Sequence, residues 1–124
     1  MKIIISPDSF KGSVSAIEVA KSIEDAILSV DGSVKTVTMP VADGGEGTIE
    51  AIASCVPTEL HEVTVFGPMG EEATACFATI DNGQTAIIEM AQASGLPMVP
   101  ASNRNPLLAT TYGTGELMKA ALDY

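Results

Sequence analysis

Lys2-Ile3-Ile4-Ile5-Ser6-Pro7-Asp8 is a short β-branched run broken by Pro7-Asp8, and it reads as a buried strand entering a loop. A helix is expected next. Ser15 and Glu18 stand at capping-box spacing, and Ala16, Val19, Ala20, Ile23, Ala26, Ile27 and Val30 recur at helical intervals until Gly32 stops the pattern. Residues 34–41 then alternate as a second strand, meeting Pro40 and the turn-rich Ala42-Asp43-Gly44-Gly45, and a helix is expected over about residues 48–55. Strand, helix and strand in this order predict a right-handed crossover between parallel strands. Ligands of such sheets gather at the carboxyl ends of the strands. The loops of residues 6–13 and 42–48 both lie at that edge and should be neighbours.

Beyond this start the pattern changes. Strand-like segments at residues 60–66, 72–80 and 84–90 are separated by Gly67-Pro68-Met69-Gly70 and Asp81-Asn82-Gly83, connections short enough to imply antiparallel hairpins. After a Gly- and Pro-broken stretch over 93–101, Asn105-Pro106 supplies a helix start, an N-cap residue followed by Pro at the first helical position. A last helix is expected from about Thr114, with Leu117, Met118, Ala121 and Leu122 on its apolar side. It is still running at Tyr124 without a C-cap. The fold class expected is α/β: a Rossmann-like parallel βαβ start with added antiparallel hairpin strands.

A chain of 124 residues suffices for one core and is short for two ordinary domains. Hydrophobic residues make up 46%, with no apolar run long enough to cross a bilayer, and the N-terminal apolar stretch is too short for a secretory signal. The expected location is the cytoplasm, with no membrane partner. Cys55 and Cys76 have no C-x-x-C spacing, so neither a disulfide framework nor a zinc site is suggested, and both are expected as small buried residues. Sixteen acids against 6 bases give a net charge of -10, which argues against a nucleic-acid partner. The same charge repels an anionic substrate at long range, which makes local cations such as Lys11 and Arg104 conspicuous.

Asp43-Gly44-Gly45-Glu46-Gly47-Thr48 is the sharpest local feature. Its glycines allow a tight turn with exposed N–H groups, a setting that suits an anion, while Asp43 and Glu46 could hold a magnesium ion, bind hydroxyls or act as a base. An ordinary strand-to-helix turn with an acidic first helical turn reads the same residues equally well. In Pro7-Asp8-Ser9-Phe10-Lys11-Gly12, Lys11 could neutralise a carboxylate or phosphate and Asp8 could orient it or accept a proton. Alternatively, Asp8 caps the loop and Lys11 is solvated. Arg104, the single arginine, precedes Asn105-Pro106 and could clamp an anion there, or Asn105 could merely cap. Tyr112-Gly113-Thr114-Gly115-Glu116 is a glycine-rich helix entrance without full G-x-G-x-x-G spacing, and no G-x-x-x-x-G-K-[ST] stretch occurs. Glu89 follows an apolar strand and reads either as a site acid or as a buried structural one. His61, in a polar-alternating strand, is expected at the surface.

Ser6-Pro7-Asp8-Ser9-Phe10-Lys11 and the segment from Pro40 to Thr48 resemble the signature segments of type I glycerate kinases. Ile88-Glu89-Met90-Ala91 with Ala93-Ser94-Gly95-Leu96, then Arg104-Asn105-Pro106-Leu107, then Thr111 with Gly113-Thr114-Gly115-Glu116-Leu117 agree in the same order. Gly12 stands where an acidic residue is common in that family, and Ser6 where Ala is common. The resemblance implies magnesium-assisted transfer of a phosphoryl group from ATP to glycerate, giving 2-phosphoglycerate in most members. It also implies a two-lobed kinase of which this chain is the N-terminal part, continuing into segments absent here, so self-association or contact with a further segment is expected.

On that resemblance Asp8, Lys11, Asp43 and Glu46 are the candidate catalytic residues, and Ser9, Gly44, Gly45, Arg104 and Thr114 the candidates for holding substrate. A non-catalytic small-molecule-binding module on a Rossmann-like half would keep the same loops without an acceptor-activating acid. A dinucleotide-dependent oxidoreductase fragment is opposed by the missing glycine spacing.

Overall fold

The computed structural model describes residues 1–124, which divide into two units, Met1–Cys55 and Val56–Tyr124. In the first, β1 (Lys2–Ile5) and β2 (Lys35–Thr38) pair in parallel, with Ile3 opposite Thr36 and Ile5 opposite Thr38. Helix α1 (Ala16–Val30) makes the crossover between them. It starts where the capping box predicts. Glu18 N–H donates to Ser15 Oγ at 3.3 Å, and Ser15 N–H donates back to Glu18 Oε2 at 3.0 Å. The helix buries Ala16 and Ala20, and the Thr36 hydroxyl donates to Glu24 Oε1 at 2.6 Å, tying α1 to β2. Helix α2 (Thr48–Ala53) closes the unit. β2 is shorter than residues 34–41, yet the ladder runs on, with Met39 N–H bonding Ile5 O at 2.8 Å and Val41 N–H bonding Pro7 O at 3.0 Å.

The second unit is an antiparallel meander of β3 (Glu59–Phe66), β4 (Glu72–Ile80) and β5 (Thr85–Ile88), with β4 in the middle. The β4–β5 turn places Asp81 and Asn82 at positive φ, the two residue types that tolerate the left-handed region best after glycine. Val65, Ala75, Phe77, Ala93 and Leu117 form its core, drawing on β3, β4, the short helix α3 (Met90–Ser94) and the last helix α4 (Tyr112–Asp123). Gly113 makes that docking possible, because a Cβ there would run into the carbonyl oxygen of Phe66. Beside it, Glu116 Oε2 accepts the Phe66 N–H at 2.7 Å, so α4 also caps the end of β3.

Four expectations need correction. No helix begins at Asn105-Pro106: Asn105 Oδ1 accepts Leu107 N–H at 3.0 Å, but Thr110 N–H is drawn to Pro68 O at 2.9 Å and the turn is not continued. The strand of residues 84–90 ends at Ile88, since Glu89 already serves as the N-cap of α3. Cys55 is exposed and Cys76 only half-buried, its thiol pushed up by burial and then by the carboxylates of Glu89 and Glu62. His61 is half-buried, not on the surface; its ring stacks on Phe77 with centroids 4.8 Å apart, and Nε2 bonds the Thr79 hydroxyl at 2.9 Å. Of the apolar side predicted for α4, Leu117 is fully buried while Met118 and Leu122 face solvent.

Candidate functional site

The first unit carries a cleft of about 270 Å³ at the carboxyl ends of β1 and β2. The Phe10 to Ser13 segment forms one wall. Ser13 N–H bonds Phe10 O at 2.8 Å and Phe10 N–H bonds Val14 O at 2.9 Å, closing a tight turn with Lys11 and Gly12 in its centre. Gly12 has φ +71, a value that a type II turn demands at this place and that a side chain would strain. The turn holds Lys11 exposed on the cleft wall. The chain's ion pairs, Lys21–Asp25 and Lys119–Asp123, lie elsewhere on α1 and α4, so the Lys11 ammonium is not spent on a carboxylate of this chain.

Asp8, Ser9, Lys11 and Glu46 all line this cleft. Asp8 Oδ1 accepts the Ser9 N–H at 2.6 Å, which fixes the carboxylate at the turn where β1 ends. Asp43, Gly44 and Gly45 belong to the adjoining loop but are not among the lining residues. Asp43 Oδ1 accepts the Gly45 N–H at 2.9 Å, and the Thr48 hydroxyl donates to Gly45 O at 2.8 Å, so these residues shape the approach to α2. Gly47 caps α2 in the left-handed conformation. A six-residue helix has only a short dipole, so the second loop brings Glu46 to the cleft more than it brings an anion-binding helix end.

Sequence reasoning missed Glu50, which lines the same cleft. The signal was available, because Glu46 and Glu50 stand four residues apart at the start of a predicted helix. Arg104 and Thr114 belong to the second unit. The Arg104 Nε donates to Val99 O at 3.2 Å, and the buried Thr114 hydroxyl shares a 2.9 Å hydrogen bond with Ser94, linking α3 and α4. Glu89 is buried, with 1% of its surface exposed.

No group of three or more His, Cys, Asp and Glu side chains in the chain is arranged to hold a metal ion. Magnesium does not need one. It commonly binds through one or two carboxylates, with water and substrate phosphates completing its shell, and the Asp8, Glu46 and Glu50 carboxylates are donors of that kind.

The sequence profile of the glycerate kinase family matches residues 3–124. The chain is 52% identical to a glycerate kinase of Bacillus subtilis (strain 168) over 123 residues, covering 99% of this chain and 32% of the relative. It is 48% identical to a glycerate 2-kinase of Escherichia coli (strain K12) over 123 residues, again 99% of this chain and 32% of the relative. A crystal structure of a Salmonella typhimurium LT2 protein assigned as glycerate kinase 2 superposes with a TM-score of 0.77 at 45% identity, over 99% of this chain and 33% of that one. The chain thus spans about a third of the length of the curated relatives it matches. A family match running over nearly every residue, with identity close to half, establishes that the chain belongs to the glycerate kinase family.

Proposed function

We propose that this chain is the N-terminal part of a two-lobed glycerate kinase that transfers a phosphoryl group from ATP to glycerate, giving 2-phosphoglycerate, in the cytoplasm. The observation that carries the reading is the cleft lined by Asp8, Glu46 and Lys11, a lysine outside the chain's ion pairs, in a chain of the glycerate kinase family. In this reaction a glycerate hydroxyl oxygen forms a bond to the γ-phosphorus. The bond from that phosphorus to the β,γ-bridging oxygen breaks, and ADP leaves with the electron pair. The hydroxyl proton passes to a carboxylate at the cleft, Asp8 or Glu46.

Phosphoryl transfer asks a protein for positioning and charge neutralisation more than for covalent chemistry. Lys11 supplies a fixed positive charge for the glycerate carboxylate or a phosphate, which a chain of net charge -10 would otherwise repel. Ser9, which lines the cleft, would hold a substrate hydroxyl, and the Asp43-Gly44-Gly45 turn, closed by the Gly45 N–H on Asp43 Oδ1, precedes Glu46 in the chain. Arg104 and Thr114 are assigned to substrate in the complete enzyme on the family resemblance alone. Bound magnesium would neutralise phosphate charge, held through one or two of the carboxylates that line the cleft, with water and phosphate oxygens completing its shell. No helix is long and apolar enough to cross a membrane.

The test measures ATP consumption with glycerate and with other small hydroxy acids. It uses the 124-residue chain and the same chain continued by the remaining two thirds of the Bacillus subtilis relative. Glycerate-dependent turnover is expected only from the continued chain, since both substrates must be held in line and the matched relatives are about three times as long. Robust turnover by the 124 residues alone would overturn the claim that the catalytic set is incomplete here. Turnover with another hydroxy acid and none with glycerate would overturn the substrate.

A further inference from the structure

Among the residues that line the cleft Lys11 is the only base, and Asp8, Glu46 and Glu50 line it as well. The other lysines of this unit lie elsewhere. Lys2 and Lys35 stand at the first positions of β1 and β2, on the amino edge of the sheet, and Lys21 is paired with Asp25 on α1. The cleft therefore has a net negative lining with one point of positive charge.

A second device that could hold a phosphate chain here is already occupied. Helix α1 is long enough to attract an anion to its N-terminus, and it borders the cleft through Ser15, Ala16 and Ile17. There the Ser15 N–H and hydroxyl both donate to Glu18 Oε2, at 3.0 Å and 2.9 Å, and the Glu18 N–H donates to Ser15 Oγ at 3.3 Å. A carboxylate of the chain itself stands where a phosphate would. Size points the same way, because a cleft of about 270 Å³ falls below the roughly 300–1,000 Å³ of pockets that enclose drug-sized ligands, and ATP is of that size. Glycerate is far smaller.

We propose that this cleft is the acceptor subsite: it binds glycerate before any nucleotide or magnesium, with the substrate carboxylate on the Lys11 ammonium and the hydroxyls donating to the cleft carboxylates. The nucleotide is held by polypeptide beyond the Met1–Cys55 unit, and only its terminal phosphoryl group reaches the cleft. Glycerate matches the lining group for group, one anion for one cation and hydroxyl donors for carboxylate acceptors, whereas a phosphate chain offers these carboxylates no donor. The inference rests on the glycerate kinase reading and narrows it, since Lys11 is then committed to the glycerate carboxylate and not to a phosphate of ATP.

The experiment has two arms. In the 124-residue chain, amide NMR shifts of Ser9, Lys11 and Ser13 are followed during titration with glycerate, with glycerol and with ATP, each without magnesium. Glycerate is expected to move these amides, glycerol to do so about tenfold or more weakly for want of a carboxylate, and ATP not to move them at the same concentrations. In the chain continued by the rest of the Bacillus subtilis relative, Lys11→Met should raise the KM for glycerate about tenfold or more and leave the KM for ATP within about twofold. Lys21→Met, which breaks an exposed ion pair on α1, should move neither.

ATP moving the cleft amides as readily as glycerate overturns the proposal, and so does Lys11→Met raising the KM for ATP instead of that for glycerate. Should the continued chain not fold, the NMR arm decides alone, and glycerol binding as tightly as glycerate, or no response to glycerate, overturns the role given to Lys11. Glycerate binding at these amides in a folded continued chain that does not phosphorylate it would leave the subsite standing and remove the kinase reading. Glycerate-dependent turnover with only the KM for ATP sensitive to Lys11 would remove the subsite alone.

Discussion

The two units solve the same packing problem with unequal success. The Val56–Tyr124 unit has an antiparallel sheet that can leave one face wet, and its other face is sealed by α3 and α4 around Phe77 and Leu117. The Met1–Cys55 unit has a parallel pair that covers one face with α1 and leaves Ile4, Met39 and Val30 at 60%, 48% and 89% exposure. Its buried apolar residues are mostly small, Ala16, Ala20 and Ala51 beside Ile5, Val34 and Ile49. The cleft with Lys11, Asp8 and Glu46 lies on this thinner unit. Loops that bind and release ligands are commonly drawn from regions of low local stability, and on the proposed reading those loops belong to the Met1–Cys55 unit.

The hardest test of this contrast is a pair of core truncations. Leu117→Ala removes a fully buried side chain from the closed core and is expected to cost about 3–5 kcal/mol, whereas Ile5→Ala in the thinner unit should fall near the low end of the usual range, about 2 kcal/mol. Urea unfolding followed by circular dichroism measures both. Native-state hydrogen exchange should show the β1 amides exchanging ahead of those of β4. Equal costs with equal protection would mean that the units are held equally firmly and that the comparison is wrong.

A second test asks whether the thinner unit carries chemistry or only shape. In the complete enzyme, Lys11→Met is expected to lower kcat/KM about a hundredfold without changing the melting temperature, because an exposed lysine outside any ion pair contributes charge and not packing. Glu46→Gln should lower kcat to a similar degree. Asp43→Asn should cost only about tenfold, since the amide oxygen can still accept the Gly45 N–H, while Asp43→Ala, which cannot, should lose more. Asp43→Asn falling as far as Glu46→Gln would give Asp43 a direct catalytic role and set the cleft boundary elsewhere.

The parts of the fold that were legible in the sequence are those fixed by local chemistry. Ser15 and Glu18 announce α1 because both halves of a capping box are visible three residues apart, and Asp81-Asn82-Gly83 announces a hairpin because those residues tolerate positive φ. Asn105-Pro106 misled because an N-cap and a Pro start a turn, while its continuation depends on a competitor far along the chain, the Pro68 carbonyl that takes Thr110 N–H. His61 misled in the same way. Its burial comes from Phe77 and Tyr124, partners set by register and helix docking and not by its strand's alternation. At the site, the cleft side of Asp8, Lys11 and Glu46 follows from the rule that ligands sit at strand ends. Whether Asp43 faced the cleft or its own loop depended on one hydrogen bond to Gly45, which spacing alone does not distinguish.

The smallest expected effect concerns the cap of α1, which borders the cleft through Ser15 and Ala16. Ser15→Ala removes the acceptor of the Glu18 N–H and should cost about 1 kcal/mol. Its pH dependence follows from Glu18, whose carboxyl is held below its usual value of 4.5 first by the Ser15 backbone N–H and then by the Ser15 hydroxyl. A carboxyl whose pKa is lowered by folding adds stability that is fully present above its ordinary value and is lost as pH falls through the folded value. The difference in melting temperature between the parent and Glu18→Gln should therefore be constant from neutral pH down to about 5 and shrink at lower pH. Ser15→Ala should weaken that dependence only in part, because the hydroxyl goes while the Ser15 backbone N–H, the larger cause, remains. If Ser15→Ala instead weakens glycerate or ATP binding in the complete enzyme while leaving stability unchanged, the helix start belongs to the site and the division between a structural cap and a chemical loop must be redrawn at Ser15.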